Sequence, residues 1–261
     1  MTIPIYQAGA FTSRLFGGNP AAICPLTTWL PDETMRQIAV ENNLAETAFF
    51  VKTAKGYLLR WFTPELEIDL CGHATLAAAH ILFTELGYQQ NIIHFETVKA
   101  GVLTVKKDGD KYMMDFPSRP PEVAEAPDGL ITALGGKKPL QVLRSRDYVV
   151  VYETEDDIKN INPDFLALIK IDSLGIIVTA KGNEADFVSR FFAPAAGIPE
   201  DPVTGSAHCS LIPYWARKLG KKTLHAYQIS ARKGELWCEL KGDRVLISGK
   251  VVTYLKGEIF V

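Results

Sequence analysis

The 261-residue chain carries the same pattern twice. Arg60-Trp-Phe-Thr-Pro64 recurs as Arg190-Phe-Phe-Ala-Pro194. Each copy runs on to an aspartate and a small-residue segment, Asp69-Leu-Cys-Gly72-His-Ala-Thr75 in the first and Asp201-Pro-Val-Thr-Gly205-Ser-Ala-His208 in the second. From Gly72 to Gly87, and again from Gly205 to Gly220, the interval is fifteen residues. Farther on, Gly101–Asp115 lies without a gap over Gly234–Ser248, matching Gly109-Asp110-Lys111 to Gly242-Asp243-Arg244. Upstream, Pro31 and Pro163, each followed by an aspartate, hold equivalent places. Such a repeat predicts one supersecondary unit folded twice, and it makes every departure between the copies a place to look for chemistry.

The local pattern supplies the elements. PDETMRQIA puts Pro31 at a first helical position, with acids in the first turn and apolar residues near helical spacing, which predicts a surface helix. TAFFV, YLLRWF, LGIIVTA and DFVSRFF are short and rich in branched or aromatic residues, hence strands. Segments 73–86 and 206–219 are apolar and closed by glycine, which predicts helices buried on most sides. Their small residues (Ala74, Ala77, Ala78 and Ala79; Ser206, Ala207 and Ser210) let sheet backbone come close. The stretch 101–116 and its copy alternate about a Gly-Asp turn, a hairpin signal. The expected class is therefore α+β, with two similar domains, each a curled, mainly antiparallel or mixed sheet around a central helix. The expected boundaries are 1–116, completed by a C-terminal strand 250–261, then a proline- and acid-rich crossing linker 117–129, then 130–249.

A hydrophobic content of 47% with 22% charged residues fits a folded core rather than disorder. Lys plus Arg number 28 against 30 Asp plus Glu with no block of like charge, which disfavours nucleic acid or an anionic membrane as partner. Neither a basic leader with an apolar run nor a spanning apolar stretch is present, so the expected location is the cytoplasm. Cys24, Cys71, Cys209 and Cys238 form no CxxC pair, and the histidines lack ligand spacing. No metal is expected. Gly17-Gly18-Asn19-Pro20 reads as a turn, since neither GxGxxG nor GxxxxGK[ST] occurs.

Both central helices open on a glycine, Gly72 or Gly205, followed by small or polar residues. The first N–H groups of such a helix lack intrahelical acceptors and attract anions; the alternative is that these glycines only permit tight packing. If the two domains face one another, the two helix starts can converge on a cleft and hold a ligand carboxylate. Glu46, in LAETAFF, is either a solvated strand-end acid or an inward-facing carboxyl group suited to general acid–base work. His73 matches Ser206, and just inside a helix start its pKa should be depressed and its ring neutral; a satisfied core histidine is the other reading. Asp201, before Pro202, is a turn residue, a cap or a functional acid. Cys71 stands where a thiolate base could form, but its counterpart is Thr204, so a two-cysteine relay is absent.

GAFTSRLFGGNPAAIC, NLAETAFF, RWFTPELEIDLCGHATLAAAH and GIPEDPVTGSAHCSLIPYW, in that order, resemble the signatures of the PhzF-like (phenazine-biosynthesis-like) family, related to the diaminopimelate epimerase fold. The resemblance spans nearly the whole chain. It implies two similar domains with a cleft between them, often a homodimer, and no metal, flavin or nucleotide cofactor. It also implies an isomerisation that moves a proton between carbons of a small carboxylate-bearing substrate. Glu46 matches the acid–base position, His73 and Asp201 the assisting positions, and Gly72 and Ser206 the carboxylate-binding ones; Asn19 and Gly205 complete the substrate-binding candidates. Two other readings stay open: an amino- or hydroxy-acid racemase or epimerase using Cys71, and a non-catalytic ligand- or protein-binding module.

Overall fold

Branched and aromatic segments fold as strands and the small-residue segments between them as helices, once per copy. The computed structural model describes residues 1–261 and divides into two units, Met1–Asp115 with Ser248–Val261, and Phe116–Ile247. In chain order the first carries β1 (Thr2–Ala10), β2 (Asn19–Leu26), α1 (Asp32–Asn42), β3 (Glu46–Thr53), β4 (Gly56–Phe62), β5 (Glu67–Ile68), α2 (Gly72–Thr84), β6 (Ile92–Glu96), β7 (Val102–Asp108) and β8 (Lys111–Pro117). The second carries β9 (Glu122–Val123), α3 (Leu130–Ala133), β10 (Gln141–Arg144), β11 (Tyr148–Val151), α4 (Glu155–Lys159), α5 (Phe165–Leu168), β12 (Ile176–Lys181), β13 (Phe187–Ala193), β14 (Ile198–Asp201), α6 (Gly205–Leu219), β15 (Thr223–Gln228), β16 (Gly234–Lys241) and β17 (Arg244–Gly249). The chain ends on β18 (Val251–Phe260). No helix is long and apolar enough to cross a membrane.

Strand pairing repeats with the sequence. β1–β2 and β10–β11 are antiparallel, while β2–β3 and β11–β12 are parallel. β3–β4 and β12–β13 are antiparallel, β4–β6 and β13–β15 parallel, and β6–β7 and β15–β16 antiparallel. β18 runs antiparallel to β1 from Thr2↔Phe260 to Ala10↔Val251. In the second unit β9 holds the corresponding place beside β10. The fold is thus α+β, each sheet curled about a central helix.

The repeated arginine motif has a repeated job. Arg60 grips Glu67 with both sides of its fork (2.7 and 2.6 Å) and packs over Trp29 and Phe62. Arg190 grips Glu200 in the same way (2.8 and 2.9 Å) over Phe192. A planar bidentate pair on an aromatic face is a geometry lysine cannot reproduce.

The small residues of α2 do what the sequence asks of them. Ala74, Leu76, Ala77, Ala78, Ala79 and Ile81 are all fully buried, and the helix packs against β1, β2, β3, β7 and β18. With sheet on so many sides, the space around Leu76 cannot collapse. Leu76→Ala is expected to cost about 2–5 kcal/mol, read as a lowered urea midpoint at unchanged slope; a loss below about 1 kcal/mol would show that the sheet closes over the gap.

Three details differ from expectation. Pro31 is the N-cap of α1 and not its first residue: its backbone is extended, and its carbonyl accepts the first helical bond, from Met35. α2 stops at Thr84 with Glu85 as cap, ahead of Gly87, whereas α6 does end on Gly220 in the left-handed conformation. The second copy of α1 is split. Thr154 and Asp157 form a capping box that starts α4, Asp164 caps α5, and Pro163 stands between the two short helices.

Candidate active site

Three element starts in the first unit bring Asn19, Glu46 and His73 together. Asn19 is the first residue of β2, Glu46 the first of β3 and His73 the second of α2. β2 and β3 are parallel with Ala21 beside Glu46, so both strand starts lie at one end of the sheet. The turn that delivers Asn19 needs Gly18: at φ +63° a Cβ there would lie 2.1 Å from the Ala10 carbonyl oxygen. All three side chains are buried, Glu46 with 8% exposure.

His73 Nε2 lies 3.0 Å from Glu46 Oε2, an ion-pair distance, and that buried carboxylate oxygen receives no hydrogen bond of good geometry. Asn19 Nδ2 lies 3.1 Å from His73 Nδ1, and Cys71 Sγ approaches the same nitrogen at 3.5 Å. The neutral ring can accept from Asn19 only through Nδ1, with its proton on Nε2. A proton on Nδ1 as well requires the Asn19 amide to turn over and present its oxygen.

The charge state of His73 is the main correction. A helix start was expected to depress its pKa. Burial does oppose the charged ring, but the negative charge offered by Cys71 and Glu46 outweighs it, and His73 protonates well above the ordinary imidazole value. Burial, with the Glu46 charge adding to it, pushes the Cys71 thiol itself up to about 11. The reason His73 rises is magnitude: a helix end carries about half a charge spread over several N–H groups, whereas the carboxylate is a full charge at hydrogen-bond distance. Glu46, Cys71 and His73 also offer three metal-ligand atoms within 4.8 Å of one another, so a soft divalent cation could compete for the group.

The second unit has its own cluster. Asp201 ends β14, where it accepts from the Thr204 hydroxyl; it does not cap α6. Gln228, fully buried at the end of β15, accepts from the Thr204 N–H at 2.8 Å and donates to the Asp201 carbonyl at 2.7 Å and to Thr204 Oγ1 at 3.1 Å. An amide nitrogen only donates, so the Thr204 hydroxyl is committed to donate to Asp201. Gly205 and Ser206 open α6, and Ser206 Oγ accepts from Arg146 Nη2 at 3.1 Å. In both units the N-cap, Cys71 or Thr204, makes no side-chain capping bond, so no cap side chain takes up the N–H groups that follow Gly72 and Gly205. Arg146 and Gln228 escaped the sequence reading, since each sits in an ordinary turn or strand far along the chain from its partner.

The sequence matches the family model for phenazine biosynthesis-like proteins, PhzC-PhzF, over residues 8–257. The chain belongs to this family. Within it, a Pseudomonas aeruginosa protein named an uncharacterized isomerase is 50% identical over 99% of both chains. The crystal structure of a phenazine biosynthesis protein of the PhzF family from Enterococcus faecalis is 47% identical and superposes with a TM-score of 0.98, covering both chains fully. A hydroxyproline epimerase from Agrobacterium vitis, at 10% identity, still superposes with a TM-score of 0.59 over 99% of this chain and 92% of its own. The epimerase likeness shows a shared fold and nothing finer.

Proposed function

We propose that this PhzF-family protein is an isomerase that moves a proton between two carbons of a small carboxylate-bearing molecule, with Glu46 as the acid–base group. The observation that carries the reading is the buried Glu46–His73 pair, a carboxylate oxygen without a hydrogen-bond partner 3.0 Å from a ring nitrogen. Relatives named isomerases support it. In the first half-reaction a Glu46 oxygen takes a carbon-bound proton and the C–H electron pair passes into the conjugated system. In the second, the Glu46 O–H returns the proton to a different carbon and the double bond shifts. Nothing is oxidised or reduced. His73 keeps Glu46 in place, and backbone donors at a helix start, Gly72 at α2 or Gly205 and Ser206 at α6, suit the stabilisation of a substrate carboxylate or an anionic intermediate; Asp201 suits orientation of a ligand beside α6.

Cys71 as a racemase base fits less well. A thiol whose pKa is pushed up to about 11 holds its proton at neutral pH, and its counterpart in the repeat, Thr204, is not a thiol. The test is solvent exchange. The protein is incubated in deuterated buffer with small unsaturated carboxylates, and deuterium incorporation at carbon is followed by NMR, with and without EDTA. Exchange with a migrating double bond, insensitive to EDTA, is expected. Inversion of a chiral acid lost in Cys71→Ser, or exchange abolished by EDTA, would replace the proposal.

A further inference from the structure

Beside Ser206 stands a cation with a buried anchor. Arg146 lies in the turn between β10 and β11, and its Nη2 reaches Asp147 Oδ2 at 3.0 Å and Ser206 Oγ at 3.1 Å. Nε adds a longer contact to Asp147 at 3.3 Å. Asp147 is 2% exposed, while the Arg146 side chain keeps 40% of its surface in solvent. The guanidinium is thus clamped along one edge and open along the other. Ser145 Oγ meets Ser210 Oγ at 2.8 Å, which docks the same turn onto α6 and fixes Arg146 relative to the helix.

A guanidinium has donors and no acceptor. Ser206 Oγ therefore spends a lone pair on Arg146, and its own proton must be donated elsewhere. The first unit carries a parallel arrangement. There Asn19, at the end of the turn from β1 to β2, lies 3.1 Å from His73, the residue of α2 that the repeat aligns with Ser206 of α6. In each copy a side chain from the same turn contacts the second residue of the central helix.

We infer that Arg146 is a positioning residue: it holds Ser206 as a donor to the substrate carboxylate, and its charge makes this part of the site prefer an anion to a neutral isostere. The inference rests on the isomerase reading only for Ser206 as a substrate-binding residue, and the hydroxyl polarised by a cation is what gives it a sign.

The experiment uses benzoate and benzamide as probes, of like size and differing in charge, titrated by NMR into the whole protein. The unaltered protein is expected to prefer benzoate. Arg146→Met should weaken benzoate by about tenfold or more, as losing a hydrogen bond to a charged group does, and leave benzamide unchanged. Arg146→Lys, which restores charge without the fork, should recover part of the loss, and Ser206→Ala combined with Arg146→Met should add little to Arg146→Met alone. With an exchanging substrate in hand, Arg146→Met should raise KM and leave kcat within a few-fold. Absence of benzoate binding to the unaltered protein, or equal weakening of both probes in Arg146→Met, overturns the inference. Glu46→Gln should bind benzoate normally, so failure of the proton-transfer reading is seen separately as lack of exchange in the unaltered protein.

Discussion

Glu46→Gln is expected to slow solvent exchange into substrate by about 10²–10⁴-fold, the usual contribution of a positioned acid–base group, while the protein keeps its fold and its affinity for carboxylates. The substitution is nearly isosteric. Glutamine keeps the volume of the side chain beside His73 Nε2, 3.0 Å from the present carboxylate, so packing survives, but the amide cannot hold a proton taken from carbon. With the carboxylate gone the His73 value should also fall, because Glu46, with Cys71, is one of the two groups that raise it against burial. An NMR titration of the ring should show that shift together with the lost exchange. Glu46→Asp keeps the charge and retracts it by a methylene group, and a displacement of about 1 Å costs on the order of 10²-fold. Undiminished exchange in Glu46→Gln would remove Glu46 from the chemistry whatever happened to His73.

The second large effect is loss of stability in mild acid, set by two histidines that the proposed reaction does not use. Burial depresses His80 and His208 to about 4. His208 donates through Nδ1 to the Thr204 carbonyl at 2.8 Å, and its Nε2 is buried with no partner beside Phe187. His80 lies between the Tyr112 hydroxyl and Thr253, at 2.9 and 3.0 Å, with Lys107 further disfavouring a charged ring. Between an unfolded value near 6.5 and a folded value near 4, the unfolded chain binds the proton and the folded one does not, so stability falls as pH falls through that window. At about pH 5 the loss is on the order of 2 kcal/mol for each ring and 4 for both. His73 acts in the opposite sense: its raised value stabilises the fold below the ordinary imidazole range and loses that contribution as pH rises through the folded value. Urea unfolding of His208→Asn near neutrality and again near pH 5 separates these terms. The variant should start less stable and lose roughly half as much on acidification; the same acid loss as the parent protein would show that His208 is not the group being charged.

The sites differ in how far each could be read from residues alone. Glu46, His73, Asp201, Gly72, Gly205 and Ser206 stand in local patterns that mark strand ends and helix starts, and alignment of the copies paired His73 with Ser206 directly. Arg146, Asp147 and Gln228 were invisible. Arg146 reaches Ser206 across sixty positions of chain, and a turn beginning Ser145-Arg146 carries no signal that distinguishes an anchored guanidinium from a solvated one. The misjudged His73 has the same origin. Its helix start was legible, whereas the carboxylate that overrides it comes from another strand.

By itself the sequence determined the architecture: the repeat, the branched strands and the small-residue helices prescribe an α+β unit folded twice, because hydrophobic period and residue size act on neighbours only a few positions apart. Tertiary structure alone decided which polar groups meet, and so which hydroxyl donates, which ring is charged and which acid is anchored. Those outcomes depend on contacts of about 3 Å between residues tens of positions apart, where a shift of one ångström exchanges a hydrogen bond for a gap.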